Sequence, residues 1–237
     1  ALKINPNNED AIYELAYCYE LTKNYEEAIS TFKRVIDKTP YNGHAWFNLG
    51  AAYQAFGEFE KALTAFDYVI LIDEGFHAAY FNKANVLVRL DRHADAIELY
   101  KKALAFDILD SLIYFYIGDC YDHIGDFKNA LVHFEKSLKK DETMAEAWIG
   151  ASSALDELNR ELEALEYAKN ALHLDPENGD YHCFLAGLQM KYDLLIESAD
   201  SFEKAITNGY IHEDLWEDYT QLSLSMKNYD LARSIID

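Results

Sequence analysis

The sequence predicts an all-α protein in which one helical hairpin of 34 residues is repeated along the chain. Three ladders of residues share this period. All three prolines fall in one register, at Pro6, Pro40 and Pro176. A ladder of small residues and a ladder of ring-bearing residues keep the same spacing: Ala28, Ala62, Ala96, Ala130, Ala164, Ser198 and Ala232, and Trp46, Tyr80, Tyr114, Trp148, His182 and Trp216. No insertion interrupts the period, so one structural unit accounts for the whole chain.

The composition agrees with a helical protein and limits the class of partner. Half of the 237 residues are hydrophobic, and there are only three prolines and ten glycines, the residues that break helices. The formal charge of −21 repels phosphate backbones, so we expect no nucleic-acid partner and favour basic or apolar ones. No apolar run is long enough to cross a bilayer, so we expect no membrane span. Three scattered cysteines do not form a disulfide framework, which favours a cytoplasmic location.

The period fixes the expected boundaries of the units. The predicted repeats are residues 9–42, 43–76, 77–110, 111–144, 145–178 and 179–212 of a single array. Residues 1–8 match the tail of a preceding repeat, and residues 213–237 form a truncated one. Two helices per unit predict fourteen helices. We interpret the chain as a fragment of a longer protein, whose uncovered ends favour weak self-association.

Helical periodicity assigns the core within each unit. Positions 4, 7, 8 and 11 share one face of the first helix, and positions 20, 24 and 27 share one face of the second. Position 8 is always small: Ala16, Gly50, Ala84, Gly118, Ser152, Ala186 and Thr220. A small residue there allows the two helices to approach closely. Because one hairpin cannot cover its own apolar face, neighbouring hairpins must stack.

The motif of each unit resembles a known repeat. The second unit contains Trp46, Leu49, Gly50, Tyr53, Gly57, Ala62 and Phe66, and the fourth contains Tyr114, Ile117, Gly118, Tyr121, Gly125, Ala130 and Phe134. This pattern is similar to the consensus of the tetratricopeptide repeat family, and the resemblance covers essentially the whole chain. It implies a right-handed superhelical solenoid of helix-turn-helix repeats, with first helices lining a concave groove. The family is a general scaffold, so the resemblance does not name a partner.

The resemblance places positions 2, 5, 6, 9, 12 and 13 in the groove. The candidate peptide-binding residues at these positions are Tyr13, Tyr17, Phe47, Asn48, Phe81, Asn82, Asn85, Phe115, Tyr116, Asp119 and Asp122. Aromatic rings offer apolar contacts, and asparagine both donates to and accepts from a peptide backbone. Two alternatives stay open: the aromatic residues at position 5 pack between neighbouring first helices, and the asparagines belong to an ordinary solvated surface.

Acidic residues flank the middle of this predicted groove. The first helices of the second and third units contain no acid, whereas Glu14 and Glu20 precede them. Asp119, Asp122, Asp156 and Glu157 follow. We therefore expect a partner segment with an apolar stretch and basic residues beyond it. The alternative is a solvated acidic surface without a ligand.

Motifs for catalysis are missing from the sequence. It contains no phosphate-binding glycine-rich loop, no His-Glu-x-x-His and no Cys-x-x-Cys, so we predict no enzyme, no cofactor and no metal site. His123 lies near Asp119 and Asp122 but lacks a third ligand at a suitable spacing. The stretch 175–180 is interpreted as a turn and not as a calcium loop.

The cysteines are interpreted as unreactive. Cys18 and Cys120 occupy position 10 of their units and are predicted to be inert core residues. Cys183 occupies position 5, where it is partly exposed, but no base is placed to activate it.

The leading functional prediction is a protein–protein interaction scaffold that binds a peptide segment of its partner in the concave groove. One alternative is a structural or self-assembling solenoid. Another is a regulatory arm of a larger multidomain protein. Basic residues are absent from position 2 of every unit, which argues against binding of an acidic peptide terminus in that groove.

Overall fold

The computed structural model describes residues 9–105, 110–230 and 232. Those residues form thirteen α-helices and no strand, which confirms the all-α prediction. The helices are α1 (Glu9–Leu21), α2 (Tyr25–Lys38), α3 (Gly43–Phe56), α4 (Phe59–Ile72), α5 (His77–Arg89), α6 (His93–Leu104), α7 (Asp110–His123), α8 (Phe127–Lys140), α9 (Ala145–Glu157), α10 (Glu161–Leu174), α11 (Gly179–Lys191), α12 (Leu195–Thr207) and α13 (Glu213–Ser225). The predicted fourteenth helix and the predicted tail in residues 1–8 lie largely or wholly outside the described residues.

The helices are grouped in two compact units, Ala1–Leu109 and Asp110–Asp237. The first unit contains α1 to α6 and the second contains α7 to α13. Within each unit every helix packs against the next one along the chain. Odd-numbered helices are the first helices of hairpins, and even-numbered helices are the second. Across the described residues, no helix has the length and apolar character needed to span a bilayer.

Every turn between a first and a second helix contains one residue in the left-handed conformation. Two of these residues are Gly57, with φ of 85°, and Gly125, with φ of 76°. The equivalent residues in the other turns are Lys23, Asp91, Asn159, Asp193 and Lys227, with φ between 56° and 62°. Glycine adopts this conformation without steric cost, which explains its place in the repeat motif.

In the second and fourth hairpins the two helices approach closely at position 8, where an aromatic ring of the second helix lies directly on a glycine. A Cβ atom added to Gly50 would lie 2.7 Å from Cε1 of Phe66, and one added to Gly118 would lie 2.8 Å from Cδ1 of Phe134. A larger side chain at position 8 would therefore displace the ring from the core.

Serine replaces alanine or glycine at two of these crossings without leaving its hydroxyl unpaired. The Ser152 hydroxyl donates to the carbonyl oxygen of Ala164 at 2.7 Å, and the Ser198 hydroxyl donates to that of Ala186 at 2.8 Å. Both serines are fully buried. These hydrogen bonds offset the cost of burying the hydroxyl groups.

Candidate peptide-binding site

The aromatic residues predicted at position 5 are half-buried and pack against the second helix of their own hairpin. Each ring contacts an aromatic ring at position 24, with centroid distances of 5.7–6.1 Å. The pairs are Tyr13 with Phe32, Phe47 with Phe66, Phe81 with Tyr100, and Phe115 with Phe134. These residues thus stabilise the hairpins, and only part of each ring is available to a ligand.

Two of them also contact the start of the following hairpin. The Tyr13 hydroxyl donates to Oδ1 of Asn42 at 3.0 Å, and Asn42 caps α3 by accepting from the backbone N–H of Ala45. The ring of Phe47 lies 5.1 Å from that of Phe76, which directly precedes α5. Truncating these side chains would disturb the stacking of hairpins, so such variants do not report on ligand binding alone.

The asparagines differ in their availability to a ligand. The side chain of Asn82 donates to the carbonyl oxygen of Ala78 at 2.9 Å, and Oδ1 of Asn85 accepts from the Tyr100 hydroxyl. Within the described part of the chain, the amide of Asn48 makes no hydrogen bond. Tyr17 is 57% exposed and is the most exposed of the predicted groove residues. Asn48 and Tyr17 are therefore the candidates of the first unit with most freedom to bind.

Asp119 and Asp122 begin an acidic face in the second unit. One carboxylate oxygen of Asp122 is buried and has no hydrogen-bond partner among the described residues. Burial raises the pKa of Asp122; His123 opposes this shift, and Asp119 and Glu157 add to it. Nδ1 of His123 lies 2.8 Å from the carbonyl oxygen of Asp119. Among the described residues no group of three potential ligands is placed to hold a metal ion.

A pocket of about 430 Å³ opens on the first helices of the second unit. We call it the acidic pocket, and it is lined by Asp156, Asp180, Cys183, Phe184, Gly187, Leu188, Lys191, Tyr210, Asp214 and Asp218. Nine of these residues belong to α9, α11 or α13, and Tyr210 lies in the loop before α13. The pocket therefore belongs to the first-helix face, to which the family resemblance assigned the predicted groove.

The charges of the acidic pocket are not balanced. Four carboxylates line it, together with a single ammonium group. That ammonium, of Lys191, lies 2.7 Å from Oδ1 of Asp156, which also accepts from the Tyr192 hydroxyl. Asp180 and Asp214 are exposed and make no ion pair within the described residues. Asp218 is exposed as well, but partial desolvation of its carboxyl raises its pKa, and Glu217 and Asp214 raise it further. A cationic ligand would relieve this repulsion.

The rest of the pocket wall is apolar and open. Phe184 and Leu188 supply apolar surface, and a Cβ atom added to Gly187 would meet nothing within 4 Å. Burial, with a smaller contribution from Asp218, raises the pKa of the Cys183 thiol to about 11. The thiol is therefore protonated at neutral pH and is a poor nucleophile, as predicted. The geometry suits binding of a cation with an apolar stem.

The structure corrects one sequence-based interpretation and brings three further residues into the candidate site. Cys120 is buried, as predicted, but the prediction of a core position for Cys18 is wrong, because that residue is exposed. Position 10 is buried in the later hairpins, at Ala52, Val86, Cys120, Ala154, Leu188 and Leu222. Asp180, Asp214 and Asp218 were not predicted as site residues, although they occupy positions 2 and 6 of their units, which were assigned to the groove.

Comparison with protein families identifies the class of protein. Models described as "Tetratricopeptide repeat" match residues 1–40, 21–75, 81–145 and 145–178. The chain belongs to the tetratricopeptide repeat family, whose fold is consistent with a protein–protein interaction scaffold.

Curated relatives are longer proteins of diverse kinds. Over 186 residues the chain is 25% identical to anaphase-promoting complex subunit 3 of Schizosaccharomyces pombe, covering 78% of this chain and 28% of that protein. It is 23% identical over 201 residues to human DnaJ homolog subfamily C member 7, covering 80% of this chain and 40% of that protein. The chain thus spans less than half the length of either relative.

Solved structures share the fold at low sequence identity. The C-terminal part of a TPR repeat-containing protein from Cytophaga hutchinsonii matches with a TM-score of 0.78 and 16% identity, covering 94% of this chain and 92% of that one. A tetratricopeptide repeat protein from Parabacteroides merdae gives 0.77 and 16%, covering 95% and 90%. YrrB, described as a TPR protein with an unusual peptide-binding site, gives 0.64 and 20%, covering 83% and 97%.

Proposed function

We propose that this protein is an interaction scaffold that holds an extended partner segment, rich in basic and apolar residues, against its first helices. The acidic pocket carries this proposal, because it combines unbalanced carboxylates with an apolar wall on the first-helix face. A lysine or arginine side chain of the partner would place its charge near Asp180, Asp214 and Asp218. Its aliphatic stem would lie on Phe184 and Leu188.

Tight binding of a partner at this site requires several such contacts. An ion pair at an exposed site contributes about 0.2–1 kcal/mol, so one lysine alone would bind weakly. A segment with repeated basic residues would also meet Asp119 and Asp122 on α7. Apolar side chains between the basic ones would add burial at about 25 cal/mol per Å². Negative charge on this face would also speed the encounter with a basic partner.

The proposal extends to the first unit through its most available groove residues. Tyr17 offers an exposed ring and Asn48 an unengaged amide. Phe47 and Phe81 are half-buried, so part of each ring can add apolar surface. These residues suit an apolar or uncharged stretch of a partner, because α3 and α5 contain no acid.

The test is a titration of the full chain with a blocked decapeptide in which leucine and lysine alternate. The pocket variant is Asp180→Asn with Asp214→Asn. The matched control is Glu166→Gln with Glu197→Gln, which removes two exposed carboxylates from the second helices α10 and α12. We expect the pocket variant to weaken binding about fivefold or more and the control by less than about twofold, since two ion pairs contribute roughly 1 kcal/mol or more.

A steric variant tests the same site without changing charge. Gly187→Leu would fill the open space of the pocket and should weaken binding of the same peptide, while circular dichroism shows an intact helical fold. Equal losses in the pocket and control variants would mean that the peptide responds to overall charge, and the acidic pocket would be rejected. Concentration-dependent self-association of the chain with no peptide binding would favour the structural alternative.

A further inference from the structure

The two aromatic rings that line the acidic pocket are held in place by the fold. Phe184 is half-buried and packs on the hydrophobic core formed by α8, α9, α10 and α11. Tyr210 lies in the loop between α12 and α13, where its backbone N–H donates to the carbonyl oxygen of Ala205 at 3.0 Å. Its hydroxyl donates to the sulfur of Cys183. Both rings therefore form fixed parts of the pocket wall.

The loop that carries Tyr210 approaches α11 closely. A Cβ atom added to Gly179, the first residue of α11, would lie 2.8 Å from Cβ of Tyr210 and 3.2 Å from its backbone nitrogen. Because Gly179 has no side chain, the loop can lie against the helix and bring the tyrosine into the same pocket as Asp180. The Tyr210 ring also packs against that of His212, with centroids 4.8 Å apart.

Three carboxylates of the acidic pocket have no basic partner among the described residues. Asp214 and Asp218 are four residues apart on α13, so their side chains lie on one face of that helix, one turn apart. Asp180 lies in the first turn of α11. The ammonium group of Lys191 is already bonded to Asp156. The pocket thus presents more hydrogen-bond acceptors than one further ammonium group can engage.

The combination of rings and carboxylates is not repeated one unit earlier. Gly150 and Pro176 lie 34 residues before Phe184 and Tyr210, and neither carries an aromatic ring. Phe184 itself lies 34 residues before Asp218, so that carboxylate is missing there as well. The pocket chemistry is therefore specific to the junction of α11 and α13 and is not a general property of the repeat.

We propose that the acidic pocket selects arginine over lysine in the partner segment, a specificity that rests on the proposed function. A guanidinium group is planar and carries five N–H donors, so it can lie against the ring of Phe184 or Tyr210 while it bonds to two carboxylates. Asp214 and Asp218, one turn apart, are the pair that would accept from it. An ammonium group is a compact, strongly hydrated charge and gains less from a flat apolar wall.

The experiment titrates the full chain with two blocked, fluorescent decapeptides in which leucine alternates with arginine or with lysine. We expect the arginine peptide to bind about fivefold more tightly or more, because the planar guanidinium stacks on rings and forms paired, charge-assisted hydrogen bonds. In Tyr210→Leu, which keeps an apolar wall but removes the ring, this ratio should fall to about twofold or less. The matched control is Tyr41→Leu, which removes an 86% exposed ring of the first unit and should preserve the ratio.

A third peptide tests the hydrogen bonds without altering the protein. Dimethylation of its arginines keeps the positive charge but removes N–H donors, so it should bind about fivefold more weakly than the arginine peptide. Equal affinity of the arginine and lysine peptides would overturn the proposal. So would equal affinity of the methylated and unmethylated peptides, or a preference for arginine that survives Tyr210→Leu with an intact helical circular dichroism spectrum.

The Asp180→Asn with Asp214→Asn variant separates this inference from the proposed function. If the unaltered chain binds both peptides equally and this variant weakens both, the scaffold function stands and the selection of arginine is rejected. If the variant weakens neither peptide, or the unaltered chain binds neither, both proposals are rejected.

Discussion

At the scale of single residues, two hairpin turns contain lysine at a position where glycine would be less strained. The left-handed residue is glycine in two turns and lysine in two others, at Lys23 and Lys227. A side chain with a Cβ atom costs about 1–2 kcal/mol in this conformation, and asparagine or aspartate tolerates it better than lysine does. The turns that contain lysine are therefore strained relative to those that contain glycine.

We expect Lys23→Gly to stabilise the protein by about 1 kcal/mol, because it removes this strain. Part of the gain is offset by the greater freedom of glycine in the unfolded chain. Gly57→Ala is the reciprocal variant and should destabilise by a similar amount. Urea unfolding of both variants measures the change, and a loss of stability in Lys23→Gly would show that the turn is not strained.

The carboxyl of Asp218 links stability to binding. Its pKa is raised in the folded state, mainly by partial desolvation, although the residue is exposed. Its contribution to stability is therefore present below the ordinary pKa of aspartate and is lost as pH rises through the raised pKa. At neutral pH the charged group lowers the stability of the fold only slightly, because Asp218 is exposed and water screens the effect.

Asp218→Asn should accordingly raise the melting temperature slightly at pH 7 and weaken binding of the leucine–lysine peptide. At a pH well below the ordinary pKa of aspartate, the difference in melting temperature between variant and unaltered chain should shrink. Paired thermal scans at both pH values provide the measurement. A lower melting temperature at pH 7 would mean that Asp218 has a favourable partner in the fold.

At the scale of helices, the aromatic ring of Phe134 connects two hairpins. Cβ atoms added to Gly118 and Gly150 would lie 2.8 Å and 2.6 Å from atoms of this ring. Glycine in a helix costs about 1 kcal/mol of stability relative to alanine. At these two positions, however, a larger residue would clash with the ring. Gly187 has no such contact, because its Cβ direction points into the open acidic pocket.

This contrast predicts opposite effects of the same substitution. Gly118→Ala should destabilise by about 1–3 kcal/mol through overpacking against Phe134. Gly187→Ala should stabilise by about 0.5–1 kcal/mol, since alanine favours the helix and meets no neighbour. Chemical unfolding of the two variants tests the expectation. Similar losses in both would show that the open space at Gly187 is filled in solution.

The helices could be predicted from the sequence, whereas the contacts of individual large side chains could not. A repeat period and the small residue at position 8 are enough to place α3 against α4. They do not show that Phe81 folds back onto Tyr100, because periodicity gives the direction of a Cβ bond and not the path of a large ring. The acidic pocket escaped prediction for a related reason: its residues come from three helices, and only their packing brings them together.

At the scale of the whole molecule, the chain combines a net charge of −21 with the acidic pocket on the first helices of the second unit. A charge of this size attracts basic partner segments over a distance that depends on the salt concentration.

Salt should affect binding of the basic peptide mainly through the association rate. Raising the salt concentration shortens the Debye length from about 10 Å at 0.1 M to about 3 Å at 1 M, which removes the long-range attraction of the acidic chain. Stopped-flow fluorescence at several salt concentrations should show a falling association rate and a smaller change in dissociation rate. A salt effect confined to dissociation would contradict electrostatic steering.

Mapping of the bound peptide by two-dimensional amide NMR of the full chain tests the central claim most directly. With the leucine–lysine decapeptide, we expect the largest shifts at Asp180, Gly187 and Asp218, and little change at exposed residues of α10 and α12. The Asp180→Asn with Asp214→Asn variant should lose these shifts at the same peptide concentration. Shifts concentrated on the second helices, or spread evenly over all acidic residues, would contradict the assignment of the binding site to the first-helix face.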